Sequence, residues 1–227
     1  IPRMHRSYII SHMKYHGYLD KCNYSLGVQL PYIGQVKDIP TDLRPVLDYY
    51  IRDFNLDKNI NNAYLELREQ SKDKDGIEQQ INAKHESVNL DINQADIISV
   101  EQSMHNYFHI VTETMSHDNG SSPTYQPTFI TEKSYKPFLM LQPFIAFGSK
   151  DNLLSLQHKG FDVFDKWIDV SYDTEADEGK RLVLFLRELD RLHDMTHTHW
   201  KKLLIEMLPS ILHNFYNYLN YDSNDIL

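Results

Sequence analysis

The sequence is poor in cysteine, glycine and tryptophan, with one, eight and two of these residues in a chain of 227. Because Cys22 is the only cysteine, no disulfide can form within the chain, which is typical of proteins in a reducing compartment. The apolar runs fall well short of the roughly 20 residues that a membrane-spanning helix needs. The first residues also lack the pattern of a secretory signal peptide. We therefore expect a cytoplasmic protein with no membrane span, in the host cytoplasm if the protein is viral.

Positive charge is also scarce, since 23 lysines and arginines face 32 aspartates and glutamates, for a net charge of −9. An acidic chain disfavours broad, non-specific binding to nucleic acid. Hydrophobic residues make up 41% and charged residues 24%, as in ordinary globular proteins and unlike disordered ones. The sequence has no Gly-x-Gly-x-x-Gly, Walker loop or Gly-x-Ser-x-Gly, which removes the simplest nucleotide-binding and serine-hydrolase motifs.

The most informative stretch is FITEKSYKPFLMLQPFIAFGS, residues 129–149. A polar triplet, Thr131-Glu132-Lys133, opens a segment that becomes apolar. A breaker at Pro143 follows, and then the apolar run Phe144–Phe147 ends at Gly148-Ser149. This order predicts a loop, a helix, a buried strand and a glycine turn. Pro137 falls too far in for a first-turn proline, so we expect it to kink or delay the helix.

The triplet Thr131-Glu132-Lys133 has two interpretations. A lysine and a glutamate at the start of a helix beside a parallel strand suit an anionic ligand, because helix N-termini carry unpaired N–H groups and partial positive charge. Lys133 would then contact a diphosphate, and Glu132 a ribose or sugar hydroxyl. The alternative is a capped helix start with a solvated ion pair, and spacing alone slightly favours that alternative.

The remaining patterns predict an α/β chain. Between residues 57 and 89 the sequence is polar, with few apolar residues, and we interpret 29–98 as an inserted or mobile section, partly helical, at the surface. Residues 115–127 form a polar loop. The expected helices and strands are a helix through Tyr8, Ile9, His12, Met13 and His16 that ends at Gly17, a strand over 23–26, helices near 42–54 and 100–106, a strand over 107–112, a helix from Asp151 as cap to Gly160, a strand over 161–164, and two C-terminal helices with apolar stripes at 182–192 and 200–215.

Other candidate residues carry weaker signals. Glu113 ends a predicted strand, where ligands of open α/β sheets bind, although a polar strand terminus is an equal alternative. Arg3 and Arg6 suit a phosphate, but a solvated basic start explains them as well. The histidine pairs His12/His16 and His193/His197 have a spacing that zinc can use, yet no His-Glu-x-x-His motif is present, so we expect no metal site. Cys22 is expected to be inert.

In combination, these residues resemble one family. The segment ITEKSYKPFLMLQPFIAFGS is similar to the donor-binding segment of alpha-1,3-fucosyltransferases and related glycosyltransferases, including phage-encoded ones. The strand ending at Glu113 precedes this segment, and the stretch Gly160–Phe164 and the acidic stretch Asp169–Asp173 follow it. The family has similar stretches in the same order. The first 28 residues resemble the family's arginine-containing helix and short strand, with Arg6 the better match and Arg3 the second. The resemblance covers residues 1–28 and 99–173.

The resemblance implies a fold and a function. The fold is the carboxyl-terminal donor domain of a GT-B glycosyltransferase, a Rossmann-like parallel sheet with flanking helices over residues 1–173, to which C-terminal helices over 174–227 are added. The function is transfer of a sugar from a nucleotide diphosphate sugar, inverting, without metal or other cofactor. The implied binding residues are Arg3, Arg6, Glu113, Thr131, Glu132, Lys133, Gly148 and Ser149. The acceptor is open between a glycan, a protein, a lipid and modified DNA.

The same resemblance leaves the catalytic half of such an enzyme unassigned. In the fucosyltransferases the catalytic base lies in an amino-terminal acceptor domain, which is not recognisable here, so that domain or a partner chain is expected outside this sequence. A second hypothesis is a non-catalytic interaction or structural protein that keeps a degenerate donor fold. The long helical tail and the large insertion favour it.

Overall fold

The computed structural model describes residues 4–22, 24–26, 59–70, 81–83, 106–114 and 130–221. The chain divides into two compact units, Ile1–Gln94 and Ala95–Leu227, and each is described by itself. The helix predicted near 42–54 and the loop predicted over 115–127 lie outside the described residues, as does nearly all of the helix predicted near 100–106. The prediction of a domain over 1–173 with a helical tail stays a prediction.

The first unit contains two helices and a two-stranded antiparallel sheet. Its elements are α1 (Met4–Tyr15), a 3₁₀ turn (Tyr18–Lys21), β1 (Tyr24–Leu26), α2 (Ile60–Gln70) and β2 (Ile81–Ala83). The helix and strand predicted at the start are confirmed, and Gly17 ends the helix in the left-handed region with φ 72°. Strand β1, however, pairs antiparallel with β2.

Helix α2 lies inside the section expected to be inserted, and its apolar residues share one face. It packs against α1. Four side chains at helical spacing are buried, namely Ile60, Ala63, Tyr64 and Leu67. The helical part of that prediction is therefore confirmed, whereas a purely surface position is wrong for this helix, because few apolar residues suffice when they align.

The second unit is built on two adjacent parallel strands. Strand β3 (His109–Thr112) pairs with β4 (Phe144–Phe147), with His109 opposite Phe144 and Thr112 opposite Phe147. Helix α3 (Glu132–Leu139) lies between them in the sequence. All four residues of β4 are buried, as the continuous apolar run predicts for a parallel strand. The described residues thus form a helix-rich α/β arrangement with a small parallel sheet.

Three further helices complete this unit: α4 (Asn152–His158), α5 (Glu178–His193) and α6 (His197–Leu219). The stripe predicted for α5 is confirmed, since Leu182, Phe185, Leu186, Leu189 and Leu192 are all buried. The stripe predicted for α6 is only partly buried. Trp200, Leu203, Met207 and Ile211 face the core, while Leu208 and Leu212 are 49% and 39% exposed.

The strand predicted over Phe161–Phe164 does not form. Phe161, Val163 and Phe164 are buried, so their apolar character is explained by the core. The backbone pairs instead with a side chain of α6: Asn214 Nδ2 donates to the Asp162 carbonyl, and Asn214 Oδ1 accepts from the Asp162 N–H, both at 2.7 Å. The Asn214 carboxamide thus satisfies both backbone groups of Asp162, as the backbone of a neighbouring strand would.

Candidate functional site

The carboxyl ends of β3 and β4 lie side by side and bring two predicted site residues to one edge. Glu113 follows β3, and its backbone N–H donates to the Phe147 carbonyl at 2.8 Å. Gly148 follows Phe147 directly. Ligands of open α/β sheets bind beyond this edge of the strands.

Helix α3 begins at the same edge. Thr131 is its N-cap residue, with extended backbone geometry, and its side-chain oxygen accepts from the Lys133 N–H at 3.4 Å. The helix begins at Glu132 and continues past Pro137 to Leu139. The expectation that Pro137 delays the helix is therefore wrong. The buried side chains of Pro137 and Phe138 hold this turn in the core, which offsets the missing N–H.

Glu113 is fully buried, and its carboxylate accepts at least four hydrogen bonds. Its Oε1 accepts from the Thr131 N–H at 3.1 Å and from Ser134 Oγ at 2.6 Å. Its Oε2 accepts from Thr131 Oγ1 at 2.6 Å and from the Thr114 N–H at 3.1 Å. A carboxylate offers about four lone-pair directions, so these donors occupy them. Glu113 thus fastens the start of α3 to the end of β3.

Sequence reasoning placed Glu113 in the site but missed this partnership. Thr131 and Ser134 lie 18 and 21 residues away along the chain, so no local pattern connects them to Glu113. Ser134 is fully buried and was not among the candidate residues. The one available signal was its position three residues after the cap, inside the first turn of the predicted helix.

Glu132 and Lys133 form an ion pair at the surface of this edge. Lys133 Nζ lies 2.8 Å from Glu132 Oε1, with side chains 33% and 66% exposed. The ammonium also donates to Thr131 Oγ1 at 3.2 Å. The hydrogen bond from Lys133 lowers the pKa of Glu132, and burial opposes this less strongly. The threonine thus holds the lysine over the helix start while leaving it partly exposed.

Gly148 and Ser149 form the turn after β4. A Cβ atom on Gly148 would lie 3.0 Å from Asn152 Cγ, so any larger residue at this position would press on the Asn152 side chain. The buried Arg181 donates from Nε to the Gly148 carbonyl at 3.2 Å. Ser149 is 8% exposed, and its Oγ has no hydrogen-bond partner among the described residues. Ser149 therefore faces the interior rather than the open edge.

The acidic stretch that completes the resemblance caps helix α4. Asp173 is 5% exposed and accepts from the N–H groups of Leu153 and Leu154, both at 3.0 Å. Burial raises the pKa of Asp173, and these two hydrogen bonds offset that only in part. Asp151 occupies the N-cap position, as predicted, and its carbonyl accepts from the Ser155 N–H at 2.9 Å. It has φ 61° and makes no side-chain cap bond, because its carboxylate pairs with Lys150 at 2.7 Å.

Most of the remaining candidates belong to the first unit or fall outside the described residues. Arg3 falls outside the described residues, and Arg6 is a half-buried residue of α1 in the first unit. In the parts of the chain that the structure describes, no group of three or more His, Cys, Asp or Glu side chains could hold a metal ion. The rings of His12 and His16 contact each other at 4.3 Å. Cys22 is partly buried, and burial raises the pKa of its thiol.

Comparison with protein-family models, with curated proteins and with solved structures returned no match. Among the helices that the structure describes, none combines the length and the apolar character needed to cross a membrane. The interpretation of the site therefore depends on its geometry and on the residues quoted above.

Proposed function

We propose that the second unit binds a nucleotide diphosphate sugar at the start of α3, as the donor half of a Rossmann-like GT-B glycosyltransferase. One observation carries this proposal. A partly exposed lysine, Lys133, is held by its own cap residue over a helix start, directly beyond the ends of two adjacent parallel strands. That is the edge at which α/β sheets bind their ligands.

The electrostatics of this edge assign the diphosphate to Lys133. The N–H of the cap residue Thr131 donates to the Glu113 carboxylate, and the first-turn N–H groups of Lys133 and Ser134 donate to Thr131 oxygens. The helix start alone therefore attracts an anion weakly, since its partial charge is largely offset. The ammonium of Lys133 supplies the positive charge, and a diphosphate would compete for it with Glu132. In the transfer step the same ammonium would stabilise the charge that develops on the leaving diphosphate.

The two glutamates receive different roles. Glu132 is two-thirds exposed. Once Lys133 pairs with a diphosphate, the carboxylate of Glu132 is available to accept from a sugar or ribose hydroxyl. Glu113 has its acceptor positions filled, so we assign it to positioning Thr131 and Ser134 rather than to contact with a hydroxyl. The acceptor and the base that deprotonates it belong to a domain or chain beyond this site, consistent with inverting transfer that needs no metal.

A second candidate is a non-catalytic protein that keeps a degenerate donor fold. Its support is that the structural roles of several residues in the resembling segments are enough to explain their presence. Glu113 ties α3 to β3, and Asp173 caps α4. Gly148 makes room for Asn152. Under this hypothesis Glu132 and Lys133 are a solvated ion pair, which contributes little to stability.

A thermal-shift experiment separates the two candidates. GDP-, UDP- and CDP-sugars are added to the full chain at increasing concentration. A ligand that binds the folded state raises Tm, by roughly 5 °C or more at about a hundredfold excess over Kd. A rise with one nucleotide class supports the donor-site proposal. If no nucleotide sugar raises Tm even at millimolar concentration, the second candidate stands and the proposal is wrong.

A further inference from the structure

An aromatic cluster lies beside the start of α3. Its members are Tyr135 of α3, Phe161, and Tyr218 and Tyr221 from the C-terminal end of the chain. The ring centroid of Tyr135 lies 5.7 Å from those of Phe161 and Tyr218, and 6.3 Å from that of Tyr221. Phe161 and Tyr221 are 5.6 Å apart. The end of α6 therefore reaches α3, against which it packs.

The cluster has a buried base and a partly exposed outer side. Tyr135 and Phe161 are 3% and 2% exposed, as expected for core residues. Tyr218 and Tyr221 are half-buried, although they are large aromatic side chains. The phenol of Tyr221 also accepts a hydrogen bond from Lys159 Nζ at 2.9 Å, which fixes its orientation. Two aromatic side chains are thus partly exposed, and the hydrogen bond from Lys159 orients that of Tyr221.

The outer rings reach the start of α3 through Tyr135, which they contact. Tyr135 follows Lys133 by two residues, which places them about 3 Å apart along the axis and roughly 200° apart around it. Side chains on a helix lean toward its N-terminus, so both lean toward the Glu113 edge from opposite sides. Burial raises the pKa of Tyr135 to about 12, with smaller contributions from Tyr221, Glu113 and Tyr218.

We infer that Tyr218 and Tyr221 form a stacking face for the base of the nucleotide whose diphosphate is held at Lys133. This inference rests on the proposed function. A nucleotide separates its planar base from its phosphates by one ribose, so a ligand in front of α3 can place a phosphate on one side and the base on the other. Aromatic side chains bind any base through its π-face, with a contribution of about 1–3 kcal/mol per base.

The test compares a nucleoside diphosphate with inorganic pyrophosphate by isothermal titration calorimetry on the full chain. Tyr218→Leu and Tyr221→Leu should each weaken binding of the nucleoside diphosphate by about tenfold or more and leave binding of pyrophosphate unchanged. Tyr218→Phe keeps the ring and should stay close to wild type. Tyr221→Phe keeps the ring but loses the bond to Lys159, so its affinity should fall between those of the wild type and the leucine variant. Tyr216→Leu is the matched control, because Tyr216 is 59% exposed on the same helix and contacts Phe215 rather than the cluster.

A second measurement needs no variant and covers the case in which a leucine variant does not fold. The ring protons of Tyr218 and Tyr221 should shift in NMR spectra when the nucleoside diphosphate is added, and not when pyrophosphate is added. Equal affinity of the wild-type chain for both ligands overturns the stacking face and leaves the diphosphate site intact. Equal loss of both ligands in the leucine variants also overturns it, since that marks a structural role. If neither ligand binds, the proposed function fails, and the stacking face with it.

Discussion

At the scale of single residues, the buried carboxylate of Glu113 organises the candidate site. The sequence shows a glutamate at the end of a strand, which suits a ligand as well as a structural partner. The structure shows both carboxylate oxygens occupied by Thr131, Ser134 and backbone donors. Glu113 thus contributes to the candidate site indirectly. It holds the cap residue Thr131, which in turn holds Lys133.

Glu113→Gln should therefore destabilise the fold. The substituted amide accepts through one oxygen only, and its NH₂ group would face protein donors. Leaving buried donors unpaired predicts a loss of about 2–3 kcal/mol in the free energy of unfolding, measured by urea denaturation. Glu132→Gln is the control: its side chain is 66% exposed, so the change should stay within about 0.5 kcal/mol. Equal effects of the two substitutions would refute the structural role of Glu113.

Gly148→Ala tests the close approach at the end of β4. The added Cβ would meet the Asn152 carboxamide at 3.0–3.1 Å, and overpacking of this kind costs about 1–3 kcal/mol. Asn152→Ala removes the obstructing group, so the double variant should lose less stability than the sum of the two single variants. A double-mutant cycle in chemical denaturation measures this coupling. Simple additivity would show that the alanine at 148 is accommodated without pressing on Asn152.

At the scale of elements, the acidic stretch Asp169–Asp173 acts as a cap for a helix twenty residues earlier. Asp173→Asn keeps the shape of the side chain but replaces one of the two acceptors of the Leu153 and Leu154 N–H groups. We expect a loss of about 1–2 kcal/mol in the free energy of unfolding, the usual contribution of an N-cap. Circular dichroism during thermal unfolding reports it as a lower Tm.

Asp151→Asn is the matched control for this prediction. Asp151 precedes α4 in the left-handed region and makes no cap bond there. Asparagine accepts this conformation readily, so the stability should change by no more than about 0.5 kcal/mol. A larger loss from Asp151→Asn than from Asp173→Asn would contradict the capping role of the Asp173 side chain.

The elements that sequence patterns predicted are those specified locally. Strand β4 coincides with the apolar run Phe144–Phe147, and α3 begins directly after the expected cap residue Thr131. Phe161–Phe164 is also mostly apolar but is not a strand, because its backbone partner is the Asn214 side chain some fifty residues later. Contacts between residues so far apart in the sequence depend on how the helices pack. The periodicity of apolar residues does not predict such contacts.

The candidate site also combines features that local sequence patterns predict with contacts between residues distant in the sequence. Thr131-Glu132-Lys133 at a helix start and Gly148 after a strand were predictable, since caps and turn glycines are local signals. The capping role of Asp173 and the approach of Tyr218 to Tyr135 were not, since these partners are distant in the chain. Sequence reasoning therefore predicts the local elements of the candidate site, whereas the partners of its buried acids, Glu113 and Asp173, are visible only in the structure.

At the scale of the whole molecule, the ionisation of Asp173 should give stability a distinct pH dependence. Its folded-state pKa is raised above the ordinary value of 3.8, chiefly by burial. The folded state then binds a proton more tightly than the unfolded state, so the stability that this group contributes is fully present below pH 3.8. It is lost as pH rises through the folded-state pKa.

The measurable quantity is the stability difference between the wild-type chain and Asp173→Asn as a function of pH. The advantage of the wild-type chain should be largest near pH 4 and shrink as pH rises, until it becomes constant above the folded-state pKa of Asp173. Urea denaturation at several pH values measures it. An advantage that grows with pH across this window would mean that hydrogen bonding outweighs burial at Asp173.

The central claim concerns Lys133 and a nucleotide diphosphate. Calorimetric titration of the full chain with a nucleoside diphosphate, before and after Lys133→Ala, tests it most directly. A charged hydrogen bond contributes about 1.5–3 kcal/mol, so the substitution should weaken binding by roughly 10- to 100-fold. Lys202→Ala is the control, because Lys202 is also a lysine paired with a glutamate, Glu206 at 3.9 Å, and it lies on α6. The account predicts loss with Lys133→Ala and none with Lys202→Ala. Unchanged affinity in the Lys133 variant would contradict it.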